Sequence, residues 1–181
     1  MCIRDRKYAV LIDGDNISSK YLDSILNEMT KYGIATYKRI YCDFTSQQSS
    51  KWRRLVRDSG IQAMQQFANT VGKNATDSTL IIDAMDILYT GNVDGFCIVS
   101  SDGDFTRLAI RLKESGMDVI GMGESKTPRS FRAACTVFTD LEILYEAESE
   151  DDEISTKGKK PAVKHNVVKA GSYTHLRAHE T

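Results

Sequence analysis

Five apolar residues, Tyr8 to Ile12, run without interruption into Asp13, Gly14, Asp15 and Asn16. A short unbroken apolar run closed by turn formers predicts a strand buried on both faces. Helical spacing follows in Tyr21, Leu22, Ile25, Leu26 and Met29, with Ser18 or Ser19 available as cap and Gly33 as stop. Ile34–Phe44 is rich in β-formers and predicts a second strand. Trp52, Leu55 and Val56 mark a helix closed by Gly60, and Ile61–Phe67 a short third strand. Ala68–Thr76 is polar and reads as a loop. In Asp77–Tyr89, Leu80, Ile81, Ala84, Met85 and Leu88 share one helical face.

The pattern then repeats. Phe96–Val99 is a second apolar run, and it ends in Ser100, Ser101, Asp102, Gly103, Asp104 and Phe105. A helix through Leu108, Ile110 and Leu112 stops at Gly116. Asp118–Met122 predicts a fifth strand, Thr127-Pro128 opens a short helix, and Val137–Phe138 predicts a sixth, edge strand before a helical turn at Leu141–Tyr145. Strands alternating with helices predict an α/β fold with a mostly parallel, doubly wound sheet of five to six strands. Beyond Glu146 an acidic run precedes a basic, weakly apolar one. Residues 146–171 are therefore expected to be a disordered charged linker. Met1–Arg6 and Ser172–Thr181 do not continue the pattern and resemble translated adapter sequence, so the native chain is expected to extend differently at both ends.

Composition adds little to this picture. The formal net charge of −1 gives no global nucleic-acid signal. The four cysteines have no metal spacing, and Cys42, Cys97 and Cys135 lie in or beside apolar runs, as reduced thiols of a cytoplasmic protein do. No apolar stretch is long enough for a membrane span.

The chemistry lies in the two D-G-D turns. In a doubly wound sheet the chain leaves strand one outward to strand three, then returns to lay strand four on its other side. The boundary is the switch point where open α/β sheets hold their sites. Asp13 and Asp15 should therefore face Asp102 and Asp104 across one crevice. Asp77, at the start of a helix packed on the sheet, is expected to be the fifth acid, although an N-cap role would also explain it. Asp83 and Asp86 read as solvated mid-helix acids, with Asp83 left open as a supporting residue. Facing carboxylates repel, and a divalent cation resolves the conflict. Oxygen-only donors suit Mg²⁺ or Mn²⁺; all three histidines fall in the tail, which disfavours zinc and an imidazole base. Such a cluster, without a nucleophile of its own, suits water attacking phosphorus.

At these residues the chain resembles the NYN domain family, the PIN-like ribonuclease group that includes LabA-like and limkain-type proteins. The resemblance rests on I-D-G-D-N at Ile12–Asn16, K-N-A-T-D at Lys73–Asp77, D-A-M-D at Asp83–Asp86 and V-S-S-D-G-D-F at Val99–Phe105, in order, within residues 7–145. It implies a PIN-like three-layer fold, a Mg²⁺ or Mn²⁺ site and RNA cleavage. Asp13, Asp77, Asp102 and Asp104 match the acidic cluster, Asn16 its polar partner and Ser100 the serine of the acidic turn. Ser101 stands where the family pattern often has Gly. A C-terminal LOTUS-type RNA-binding module, carried by related proteins, would follow a linker like residues 146–169.

Lys38, Arg39, Lys51, Arg53, Arg54 and Arg57 cluster with only Asp43 opposing, and Tyr37, Tyr41 and Trp52 interleave with them. That suits single-stranded RNA, though a solvated helix face with Trp52 in the core explains it equally. Lys73 and Arg107, beside the acidic turns, are placed to hold a scissile or flanking phosphate. The expected function is metal-dependent ribonuclease. Asp13, Asp102 and Asp104 would hold the main metal, Asp77 would support it, and Asn16 and Ser100 would position water or a phosphate oxygen. The alternatives are a non-catalytic RNA-binding or scaffold module and a haloacid-dehalogenase-like phosphatase, whose site also starts with D-x-D after strand one.

Overall fold

Alternation along the first strand sets the layers of the molecule. In a computed structural model, which describes residues 5–67 and 75–157, Lys7–Asp13 (β1) sends Tyr8, Val10 and Ile12 into one core cluster. Ala9 and Leu11 enter the other. The same parity turns Asp13 toward the second face.

Six strands form one parallel sheet in the order β3-β2-β1-β4-β5-β6. The remaining strands are Ile34–Cys42 (β2), Gln62–Gln65 (β3), Gly95–Val99 (β4), Asp118–Gly123 (β5) and Val137–Asp140 (β6). β1 lies between β2 and β4, so the switch point falls between β1 and β4 as the sequence predicts. Leu22–Met29 (α1), Ser50–Ser59 (α2) and the start of Leu141–Lys157 (α6) cover the first face through Leu22, Ile25, Met29, Trp52 and Leu141. Ala75–Thr90 (α3), Thr106–Glu114 (α4) and Arg129–Ala134 (α5) cover the second. This is the three-layer α/β arrangement expected of a PIN-like domain.

On α3 the fully buried stripe is Leu80, Ala84 and Ile87, spaced i, i+4, i+7. Ile81, Met85 and Leu88 flank it, half-buried. Each large side chain of that stripe contributes about 1.5–3 kcal/mol of burial, enough to pin the helix across β1 and β2.

Two boundaries differ from expectation. Glu146–Lys157 is helical rather than linker, because α6 docks on α1. Tyr145 meets Tyr21 edge-on at 5.7 Å, and the Ser24 hydroxyl donates to the Glu148 carboxylate. Arg6, expected to lie outside the domain, accepts the Ile34 amide at 2.8 Å and sits 3.6 Å from Asp118. Residues 1–4 and 158–181 lie outside the described residues. Among the described residues no helix is long and apolar enough to cross a membrane.

Candidate metal centre at the switch point

Asp13 is the last residue of β1, and its side chain is 0% exposed. Its Oδ2 accepts hydrogen bonds from Asn16 Nδ2 and from Ser100 Oγ, both at 2.7 Å. Its Oδ1 is buried and has no hydrogen-bond partner among the described residues. A buried carboxylate oxygen left unmatched is costly, so a positive partner is the expected complement. Burial raises the Asp13 pKa, and the two donors oppose that rise.

Gly14 follows Asp13 for reasons of space rather than backbone angle. A Cβ there would lie 2.9 Å from Ile40 Cδ1 and 3.0 Å from Cys42 Cβ. The turn is also held from outside: Trp52 Nε1–H donates to the Gly14 carbonyl at 3.0 Å, and the Gly14 amide donates to the Tyr41 carbonyl at 2.9 Å. Asp15 turns toward the end of β2, where its Oδ1 accepts the Asp43 amide at 3.4 Å.

Ser100 couples the two acidic turns. While its hydroxyl donates to Asp13, its oxygen accepts the Asp102 amide at 3.0 Å. Asp102 in turn uses Oδ1 to accept the Asp104 amide at 2.9 Å, capping a 3-10 turn at Gly103–Phe105. Phe105 anchors that turn in the core, leaving Asp102 half-buried and Asp104 exposed. Ser101, the departure from the family pattern, accepts the Glu124 amide at 2.9 Å and ties the turn to the end of β5. Gly123 makes room beside it, since a Cβ there would stand 2.5 Å from the Ser100 carbonyl oxygen.

Asp77 enters from above, in the first turn of α3, and is 7% exposed. Asp77, Asp102 and Asp104 can each offer one carboxylate oxygen, all within 4.8 Å of one another. Burial is the main cause that lifts the Asp77 pKa to about 7, and repulsion from Asp13, Asp102, Asp104 and Asp15 adds to it, in that order.

The expected acids thus converge, but not as equals. Asp77, Asp102 and Asp104 form the open trio, and Asp13 lies behind them, fastened by Asn16 and Ser100. The donor set fits a hard divalent ion. It is all carboxylate oxygen, closely spaced and electrostatically strained by its own charge, with an unmatched buried oxygen behind it.

The residues expected to bind substrate divide. Arg107 is exposed on the first turn of α4, beside the acidic turn. Lys51, Arg53, Arg54 and Arg57 are exposed on α2, across the sheet from α3, and Lys38 is half-buried near Gly60. Arg39 does not join them. Its Nη1 pairs with Asp83 at 2.8 Å, because residues 37, 39 and 41 of β2 face α3. Tyr41 is buried and donates to the same Asp83 oxygen at 2.7 Å. Trp52 is buried too, so neither ring offers a stacking surface. Asp83, left open from the sequence, therefore fastens α3 to β2, two turns below Asp77. The period-two alternation of β2 was the signal for this. Lys73 lies outside the described residues.

A parallel three-layer domain with an acidic crevice at its switch point has the architecture of the PIN-like group. The chain belongs to the NYN domain family, whose model matches residues 7–142, and NYN domains are generally nuclease-related. It is 26% identical over 125 residues to the uncharacterized protein MJ0482 of Methanocaldococcus jannaschii, a match covering 66% of this chain and 48% of that protein. The chain thus spans about half the length of that curated relative. Among solved structures it is similar to a protein of unknown function, VPA0982 from Vibrio parahaemolyticus. That match has a TM-score of 0.64 and 18% identity, and covers 77% of this chain and 95% of the other, a likeness of fold.

Proposed function

We propose that this domain is a metal-dependent ribonuclease that hydrolyses RNA phosphodiester bonds with Mg²⁺ or Mn²⁺. One observation carries the reading. Asp77, Asp102 and Asp104 bring three carboxylate oxygens within 4.8 Å of one another at the switch point, in a family whose members are nuclease-related.

A divalent ion there supplies Lewis-acid chemistry, offsetting charge on the phosphodiester and making water a better nucleophile. Asp77, Asp102 and Asp104 would hold it, with Asp13 as the deeper carboxylate. The chain's own residues do the rest. Asn16 and Ser100 fix Asp13 in one orientation. Asp102 keeps one oxygen on the Asp104 amide and leaves the other for a ligand. Asp77, nearly buried in the first turn of α3, presents its carboxylate to the same point as Asp102 and Asp104. Arg107 supplies positive charge to that phosphate, and Lys38, Arg53 and Arg54 to the flanking strand. The reading places the protein in the cytoplasm, where its free, buried Cys42, Cys97 and Cys135 stay reduced. A LOTUS-type module is a natural companion domain.

The phosphatase alternative needs an aspartate nucleophile after β1, and the full burial of Asp13 argues against it. The test is cleavage of generic single-stranded RNA with Mg²⁺, Mn²⁺ or EDTA, beside Asp102→Asn. Metal-dependent cleavage lost in the variant is the expected result. RNA binding that survives chelation, with no cleavage under any condition, would instead make this a binding or scaffold module.

A further inference from the structure

A second concavity adjoins the acid cluster. It is a cavity of about 520 Å³ between the β1 turn and the loop leading into α2, lined by Asn16, Ser18, Ser46, Gln47, Gln48 and Lys51 among others. That volume is in the range of small-ligand sites, roughly 300–1,000 Å³. We propose that this crevice is a nucleoside subsite, taking the base and ribose of a nucleotide next to the scissile phosphate. The identity of the ligand rests on the ribonuclease reading.

Three observations point this way. First, the walls are rich in hydroxyls and amides, with the Asp15 carboxylate among them, rather than apolar, and such groups pair with base edges and ribose hydroxyls. Second, Asn16 belongs to both places. It lines the crevice while its Nδ2 donates to Asp13 Oδ2 at 2.7 Å, so a group bound there is one side chain from the acids. Third, positive charge continues out of the crevice along α2. Lys51 stands at the crevice, and Arg54 and Arg57 follow at three-residue steps along α2, all exposed and, among the described residues, in no ion pair. That line of cations suits the phosphates of a strand leaving the crevice. The floor is rigid, because Trp52 is buried and its indole donates to the Gly14 carbonyl.

Trp52 is the chain's one tryptophan, which makes its indole N–H a built-in reporter. The experiment is an amide and indole NMR titration of the full chain with the four ribonucleoside 5′-monophosphates in EDTA. Ser18→Phe is run alongside to fill the crevice at an exposed position. We expect saturable shifts of Ser18, Gln47, Gln48 and the Trp52 indole. We also expect about tenfold weaker binding by Ser18→Phe, equivalent to about 1.4 kcal/mol, at an unchanged melting temperature. Shifts confined to the acidic turns or to the α2 cations, no saturable shift with any nucleotide, or equal binding by a folded Ser18→Phe would overturn the proposal. If Ser18→Phe does not fold, Gln48→Ala takes its place with the same expectation. Nucleotide binding here by a chain that cleaves no RNA would sink the ribonuclease reading alone. RNA cleavage with the same KM in wild type and Ser18→Phe would sink the subsite alone.

Discussion

Asp77 makes the metal-free domain respond to pH in the opposite sense to an ordinary surface acid. Its folded pKa is raised from 3.8 to about 7, chiefly by burial and then by the neighbouring acids. Between those values the folded protein keeps a proton that the unfolded chain has released. Stability therefore falls as pH rises through that window, and the favourable contribution is fully present only below it. The gap from 3.8 to about 7 converts, at about 1.4 kcal/mol per pH unit, to at most about 4 kcal/mol. The crevice opens to solvent past half-buried Asp102 and exposed Asp104, which weakens both the burial cost and the repulsion, and about 2 kcal/mol is the expected loss. The assay is urea unfolding in EDTA from about pH 4 to about pH 8, compared with Asp77→Asn. The wild type should lose stability relative to the variant as pH rises, and added Mn²⁺ should restore it, since an ion bound only to the folded state stabilises by mass action. A wild-type profile parallel to that of Asp77→Asn would refute the reasoning, as would an Mn²⁺ effect of equal size in both proteins.

Asp13→Asn keeps an oxygen to accept from Asn16 and Ser100 but removes the largest charge repulsion on Asp77. The metal-free pH slope should shrink and the Mn²⁺-induced rise in melting temperature should fall, both readable by thermal unfolding. Gly123→Ala forces a Cβ to 2.5 Å from the Ser100 carbonyl oxygen and 2.6 Å from Thr127 Oγ1. It should cost about 1–3 kcal/mol in urea unfolding and displace the acidic turn. Tyr41→Phe deletes the hydroxyl that donates to Asp83 at 2.7 Å. A loss of about 1.5–3 kcal/mol is expected, with weaker Mn²⁺ stabilisation because α3 carries Asp77.

What the sequence made legible was whatever depended on local pattern. The apolar run from Tyr8 and its partner from Phe96 were enough to put Asp13 at the switch point. What it left hidden depended on contacts between distant residues. Arg39 read as one cation among six until β2 alternation turned it to Asp83, forty-four positions away. Glu148 belonged to a charged tail until Ser24, a hundred and twenty-four positions earlier, gave it a partner that extends α6. Composition describes a segment by its own residues, whereas burial and pairing come from the surface it lands on.

The same distinction explains why Asp13 is not a member of the open trio. A residue that ends a strand covered on both faces inherits the strand's burial, so its carboxylate lies at full depth. Asp102 and Asp104 come one turn later, after the chain has left the sheet, and Asp77 lies on a helix end that reaches the crevice from above. Depth and exposure are then joined through one hydroxyl. Ser100 donates inward to Asp13 and accepts outward from Asp102, so the buried acid sets where the exposed ones stand. A charge placed on Asp77, Asp102 and Asp104 therefore acts on Asp13 as well, both directly and through the backbone of the second turn. The first acidic turn contributes order to the site before it contributes a ligand.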